Sequence, residues 1–318
     1  MAEIITHAPI PPIEAVAATI GMFDGVHRGH LWLIAQLKHF AAERGLKSAV
    51  VTFSNHPQNV LRPDCGLKLI MPISDRLEML AATGIDYIVL MDFTRELSQL
   101  DSCGFMKLLR DSYSTQALLM GYNHRFGHNR NEQFADYHRH GSELGVDVAR
   151  AEEYVAQFAP ISSSIIRRLL NEGDVTTAAD KLGRSFTLKG TVCHGFARGR
   201  DIGFPTANVA LPQSNLIVPR NGVYAVQVTL PDGSQRGGMA NIGIRPTFAD
   251  STERSIEIHI FDFKGDLYGK SITVEFVGRL RDERAMSSID ELKRQLTADL
   301  SAAHNALAAQ RKKKSTNN

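Results

Sequence analysis

At 318 residues the chain exceeds one ordinary domain and has room for two, each burying its own core. Hydrophobic residues make up 43% and charged residues 22%, and 36 basic against 34 acidic side chains leave a net charge of +2. No global field points to nucleic acid or to a membrane surface. Residues 1–12 carry neither a basic n-region nor an apolar h-region, and no stretch approaches the length of a membrane span. Cys65, Cys103 and Cys193 lie far apart without CxxC spacing, which supports neither a disulfide framework nor a zinc site. A soluble, cytoplasmic protein with reduced thiols is expected.

The apolar run 15–20 reads as a buried strand. It leads through Gly21-Met22-Phe23-Asp24-Gly25-Val26-His27-Arg28-Gly29-His30 into a segment with helical apolar spacing from Leu31 to Leu37. Further strands are predicted at 48–53, 86–91 and 116–121, with a further run at 146–149. Helices are predicted between them, one capped by Ser74 and ended by Gly84, one over 102–111 and one beginning near Asn131. Near-continuous apolar strands alternating with helices indicate a doubly wound parallel α/β sheet. Residues 161–170 start another helix with serines as caps, and Gly173-Asp174 and Leu182-Gly183-Arg184 punctuate two short helices. From Phe186 the texture changes. Strand-like stretches at 187–193, 223–230, 238–242, 255–263 and 271–280, with turns at Pro231-Asp232-Gly233 and Lys264-Gly265-Asp266, suggest an antiparallel barrel. A helix over 288–309, opened by a Ser288/Glu291 capping box, closes the pattern. Arg311-Lys312-Lys313-Lys314 and the residues after it read as a frayed, solvated tail. The boundary falls near Gly183, giving domains 1–183 and 184–318.

The chemistry concentrates at the first strand-to-helix corner. His27 and His30 lie on one helix turn at the edge where an open α/β sheet places its ligand, and a helix N-terminus suits phosphate. The spacing resembles the HxGH signature of nucleotidylyltransferases, in which the acceptor phosphate attacks directly and the imidazoles stabilise charge at the α-phosphate. Two ordinary histidines at a helix start would look the same, and metal ligation with His56 is a rival reading. Ser162, Ser163, Ser164 and Arg167 put hydroxyls and a guanidinium at a second helix start, a grip for leaving pyrophosphate. Loops ending in His56-Pro57 and Tyr122-Asn123-His124-Arg125 are expected at the same sheet edge. In the second half, 194–208 is rich in Gly and Arg and ends Pro205-Thr206-Ala207-Asn208, where Thr206 and Asn208 offer oxygens to Mg²⁺. No Walker A motif is present. Alternation in Ile256-Glu257-Ile258-His259-Ile260 turns Glu257 away from the isoleucines, placing a carboxylate that could take a proton from a substrate hydroxyl.

Taken in order, GMFDGVHRGH, TFSNHP, GYNHRFG, ISSSIIR, LGRSF, HGFARGRDIGFPTAN, NGVYAV, NIGIRPTF and IEIHIFDFKGDLYGK resemble the bacterial bifunctional riboflavin kinase/FAD synthetase family over nearly the whole chain. The resemblance implies an N-terminal FMN adenylyltransferase domain and a C-terminal riboflavin kinase barrel of six antiparallel strands. It implies two steps: riboflavin plus ATP to FMN plus ADP, then FMN plus ATP to FAD plus pyrophosphate. By the same resemblance, Gly21, Phe23, Asp24, Gly25, His27, Gly29, His30, Ser163, Ser164 and Arg167 bind the ATP of adenylylation. Gly195, Arg200, Gly203, Thr206 and Asn208 bind the ATP and Mg²⁺ of the kinase. His56, Asn123 and Arg125 contact flavin, and Glu257 is the kinase base. Ser164 stands where many members have Thr, Asn123 where many have Asp, and Arg284-Ala285-Met286 departs from a more usual sequence with Phe. Two other readings keep the motifs: a nucleotidylyltransferase with another acceptor and a merely structural barrel, or a flavin-binding regulator without turnover.

Overall fold

The structure, a computed structural model, describes residues 2–7, 13–129, 131–154, 160–195, 202–244 and 254–316. The chain packs as two compact units, Met1–Ser163 and Ser164–Asn318.

The first unit runs β1 (Glu3–Ile5), β2 (Val16–Ile20), α1 (Arg28–Ala42), β3 (Lys47–Phe53), α2 (Pro57–Leu61), a 3₁₀ turn (Pro63–Cys65), α3 (Ile73–Ala81), β4 (Tyr87–Met91), α4 (Arg95–Ser98), α5 (Ser102–Tyr113), β5 (Thr115–Met120), α6 (Phe134–Leu144) and β6 (Asp147–Arg150). All pairings are parallel, in the order β1-β4-β3-β2-β5-β6. Helices cover both faces, so β2 is buried at every residue. Its alternate side chains feed two cores: Ala18 and Ile20 pack with Phe105 and Leu109 of α5, and Ala17 packs with Ile34 and Leu37 of α1. From β2 the chain winds one way through β3 and β4, then returns to β5 on the other side. The order reverses between β2 and β5, which makes their carboxyl ends the switch-point crevice.

The second unit runs α7 (Ser163–Glu172), α8 (Val175–Leu182), β7 (Phe186–Cys193), β8 (Ala207–Ala210), β9 (Gly222–Thr229), β10 (Gln235–Ile244), β11 (Arg254–Ile260), β12 (Ser271–Arg281) and α9 (Ile289–Thr316). Its strands close into a barrel in the order β10-β11-β8-β7-β12-β9, and every pairing is antiparallel. Strand β7 alternates buried and exposed residues as a one-sided strand should. Strand β9 is buried on both faces, because Ala225 and its neighbour Met239 lie under Ala303 and Leu307 of α9. Asp299 of α9 accepts from Arg281 Nε at 2.9 Å and from its Nη2 at 2.7 Å.

Several local expectations change. Helix α3 is capped by Pro72 without a side-chain bond, and Ser74 Oγ donates instead to Asp75 at 3.1 Å. Helix α5 is capped by Asp101, and α6 starts at Phe134 rather than near Asn131. The expected box at α9 is split. Glu291 N–H donates to Ser288 Oγ at 3.2 Å, but its carboxylate returns to Ser287 N–H at 2.8 Å. Helix α9 also runs on to Thr316, so exposed Arg311, Lys312 and Lys313 belong to a helix rather than a frayed tail. Gln310 fixes it there by donating to Glu275 at 2.7 Å and to Ser185 at 3.0 Å. Strands β1 and β8 lie outside the predicted elements: the last two residues of the expected 194–208 loop open β8, which pairs with β7 and β11.

Candidate functional site

The turn after β2 is held by bonds from every side. Phe23 and Val26 have φ of 51° and 36°, left-handed conformations that cost energy outside glycine, and Gly25 between them has φ 83°. Three anchors stabilise this strained turn. Asp24, 1% exposed, accepts the Ile70 N–H on both carboxylate oxygens at 3.1 Å. Arg76 of α3, 2% exposed, donates to Met22 O at 3.0 Å and also to Phe53 O, linking the ends of β2 and β3. Ser163 Oγ donates to Asp24 O at 2.8 Å.

This turn delivers His27 as the N-cap of α1. His30 N–H donates to His27 Nδ1 at 3.2 Å, and His27 N–H donates to His30 Nδ1 at 3.4 Å. The histidines thus form a reciprocal capping box, and their rings stack with centroids 3.5 Å apart and planes 14° from parallel. With each Nδ1 accepting, each neutral ring carries its proton on Nε2 and presents an N–H donor there. Burial, then the charges of His27, His124 and Arg76, hold the His30 pKa well below its ordinary value. Burial alone lowers His124 to about 4. His30 and His124 are therefore neutral imidazoles near pH 7, and Arg76 beside them is itself lowered by burial to about 10. Gly29 leaves room for this stack, since a Cβ there would lie 3.3 Å from the His27 ring.

Neutral burial gives these groups a pH signature. The folded value of His124, about 4, lies below the unfolded value of about 6.5. Between the two the unfolded chain binds the extra proton, so stability present above the unfolded value is lost as pH falls towards the folded one. The melting temperature is expected to drop across that window, with a smaller slope in His124→Gln. An unchanged slope would contradict the burial.

His56 caps α2, its Nδ1 accepting from Gln58 N–H at 3.2 Å, and Asn55 joins the end of β3 to Phe93 beyond β4 at 2.8 and 3.0 Å. Asn123 and Arg125 line a cavity of about 360 Å³ beyond β5, with His124, Glu132 and Arg150 on its walls. Among the described residues no three His, Cys, Asp or Glu side chains gather as metal ligands. Ser164 and Arg167 lie on α7, within the second unit.

In the barrel, Glu257 of β11 pairs across the sheet with Asn208 of β8 on one side and Asn241 of β10 on the other. Buried Ile256 and Ile258 flank it, leaving Glu257 on the outer face. Asn208 is 6% exposed, and a Cβ on Gly195 would lie 2.0 Å from its amide nitrogen, so any side chain at 195 would have to push the Asn208 amide aside. His259 donates from Nδ1 to Pro205 O at 2.8 Å, fixing the residue before Thr206. Gly203 has φ 86°. A cavity of about 400 Å³ opens between Thr206, Ile258, Phe263, Asp266 and Tyr268. Arg200 lies outside the described residues.

Sequence reasoning passed over Arg76, Glu132 and Asn241. Arg76 left one signal: a guanidinium four residues before buried Leu80, on the apolar side of α3. The other two depended on loop path and strand register.

A family model described as FAD synthetase matches residues 11–165, and one described as Riboflavin kinase matches 182–307. Proteins named bifunctional riboflavin kinase/FMN adenylyltransferase are similar over most of their length. That of Pseudomonas fluorescens is 37% identical, covering 94% of this chain and 95% of its own. That of Escherichia coli K12 is 35% identical, covering 91% of each. That of Bacillus subtilis is 37% identical, covering 88% and 89%. A solved structure from Streptococcus pneumoniae, described as a macrolide-efflux protein, superposes with a TM-score of 0.85 at 30% identity, covering 95% of this chain and 99% of its own. Among the described residues, no helix here is long and apolar enough to cross a membrane.

Proposed function

The chain belongs to the bifunctional riboflavin kinase/FMN adenylyltransferase family, and on that premise we propose which of its residues carry each step. It phosphorylates riboflavin with ATP to FMN and ADP, and transfers AMP from a second ATP to FMN, giving FAD and pyrophosphate. A second half matched to riboflavin kinase in its own right favours two activities over a merely structural barrel.

For adenylyl transfer, an oxygen of the FMN phosphate attacks the α-phosphorus of ATP as the bond to the β-phosphate oxygen breaks. His27 and His30 donate from Nε2 to the charge gathering on the α-phosphate, and no covalent nucleophile is needed. The observation that carries this reading is the reciprocal capping box, which fixes both tautomers so that two donors sit at the N-terminus of α1. Gly21, Phe23, Asp24, Gly25 and Gly29 shape the turn around the phosphates. Ser163, Ser164 and Arg167 take the leaving pyrophosphate; for Ser164 and Arg167 the assignment rests on the motif alone. His56, Asn123 and Arg125 contact the flavin.

For the kinase, Glu257 takes the proton of the riboflavin 5′-hydroxyl as that oxygen attacks the γ-phosphorus and ADP leaves. The hydroxyl of Thr206 and the amide oxygen of Asn208 are hard donors suited to Mg²⁺, and the packing of Gly195 on Asn208 supports a cradle built for a close approach. Bound with ATP, Mg²⁺ would neutralise phosphate charge there. Gly203 and Arg200 complete the phosphate loop on motif grounds. We place the functional division near Gly183, keeping Ser164 and Arg167 with adenylyl transfer, and the enzyme in the cytoplasm, where its substrates are the small molecules riboflavin, FMN and ATP.

Labelled ATP tests the scheme. Label in the γ-phosphate is expected in FMN and label in the α-phosphate in the AMP half of FAD; γ-label alone, with none from the α-position, would overturn the second step. Gly195→Ala is expected to cut FMN formation on the order of 10²-fold by pushing Asn208 aside, leaving FAD formation from supplied FMN intact. Unchanged kinase rates would remove Gly195 and Asn208 from the cradle.

A further inference from the structure

The cavity beyond β5 holds a group the proposed steps leave unused. Glu132 lies just before α6, and its Oε2 is buried with no hydrogen-bond partner among the described residues. A buried carboxylate oxygen accepts only, so left unpaired it is costly and calls for a donor from elsewhere. Three neighbouring groups bond elsewhere. Asp136, not Glu132, accepts the Gln133 N–H that opens α6, at 2.8 Å. Arg150 donates to Tyr122 O from Nε at 3.1 Å and from Nη2 at 2.6 Å, and its guanidinium lies 4.3 Å over the Tyr122 ring. Tyr137 donates to Phe126 O at 3.0 Å.

The position of the cavity points to its occupant. Gly121 on its wall packs against α1, where a Cβ on it would lie 3.5 Å from Leu33, so the cavity lies beside the helix whose first turn carries the paired histidines, where the acceptor phosphate must arrive. On FMN the atoms next to that phosphate are the ribityl hydroxyls, which are O–H donors. Its walls are mostly polar, with Asn123, Arg125, Glu132, Gln133 and Arg150; they suit a polyol better than the flat isoalloxazine, and about 360 Å³ accommodates the arm. We propose that this cavity takes the ribityl arm of FMN and that Glu132 Oε2 accepts a hydrogen bond from one of its secondary hydroxyls. Glu132 is then a specificity residue for the acceptor, an inference that rests on the adenylyl-transfer reading of His27 and His30.

The test compares FMN with a 5′-phosphopentyl flavin, which keeps ring and phosphate but lacks the three secondary hydroxyls, using the intact protein. In the wild type the analogue is expected to raise KM by ~10- to 100-fold. Glu132→Ala is expected to raise KM for FMN comparably, with KM for ATP and riboflavin phosphorylation unchanged, and to lose its discrimination between FMN and the analogue. Glu132→Gln, which keeps an acceptor oxygen, should retain most of the affinity. Equal KM for FMN and the analogue in the wild type, unchanged KM for FMN in Glu132→Ala, or additive losses in the variant would each overturn the proposal. If the wild type makes no FAD from FMN and ATP, the reading of the histidine site fails instead.

Discussion

His30→Ala is expected to lower FAD formation from FMN and ATP by on the order of 10²- to 10³-fold, while riboflavin phosphorylation proceeds at the wild-type rate. The substitution removes the Nε2–H donor of His30 and, with it, the Nδ1 that accepts the His27 N–H. It also removes the ring stacked on His27 at 3.5 Å, so the remaining donor loses its orientation. The structural share is smaller, because losing one half of a helix cap costs about 1 kcal/mol. Phe23, whose ring centroid lies 5.0 Å from that of His30, and the three anchors of the turn remain in place. A large kinetic loss with a small fall in melting temperature would separate catalysis from folding. An unchanged adenylylation rate would take the paired histidines out of the mechanism.

Glu257→Gln is expected to do the reverse. Removing a positioned base costs ~10²- to 10⁴-fold, and FMN formation should fall accordingly while FAD still forms from supplied FMN. The isosteric amide keeps the row Asn208, Glu257, Asn241 across β8, β11 and β10, so the barrel has no reason to rearrange. What disappears is the only carboxylate in that row. Equal loss of both activities would refute the assignment of the two steps to separate sites.

Much of this was legible in the residues. The buried strands of the first unit announced themselves because a parallel sheet covered on both faces needs continuous apolar runs, as in β2, β3 and β5. The barrel strands were legible from alternation, and Glu257 from its place between buried isoleucines. What escaped was either too short to carry a pattern or decided by partners distant in sequence. Strand β1 has three residues and opens with exposed Glu3, so no periodicity marks it. Strand β8 follows Pro205 and Thr206, and only its pairing with β7 and β11 makes it a strand. Ser74 has the composition of a cap, yet the turn that ends at Pro72 sets where α3 begins. The histidine spacing was plain, but the capping box that fixes their tautomers depends on φ and ψ at His27. Arg76 reads as an ordinary helical arginine until the ends of β2 and β3 are brought to it.

The central claim is that one chain makes FMN and then turns it into FAD. Chromatography of riboflavin, ATP and Mg²⁺ incubated with the pure, intact protein tests it most directly. The expected result is a transient FMN peak followed by FAD, with ADP and pyrophosphate released in equal amounts for each FAD formed. Neither FMN nor FAD in the chromatogram, or FMN that never proceeds to FAD, would contradict it.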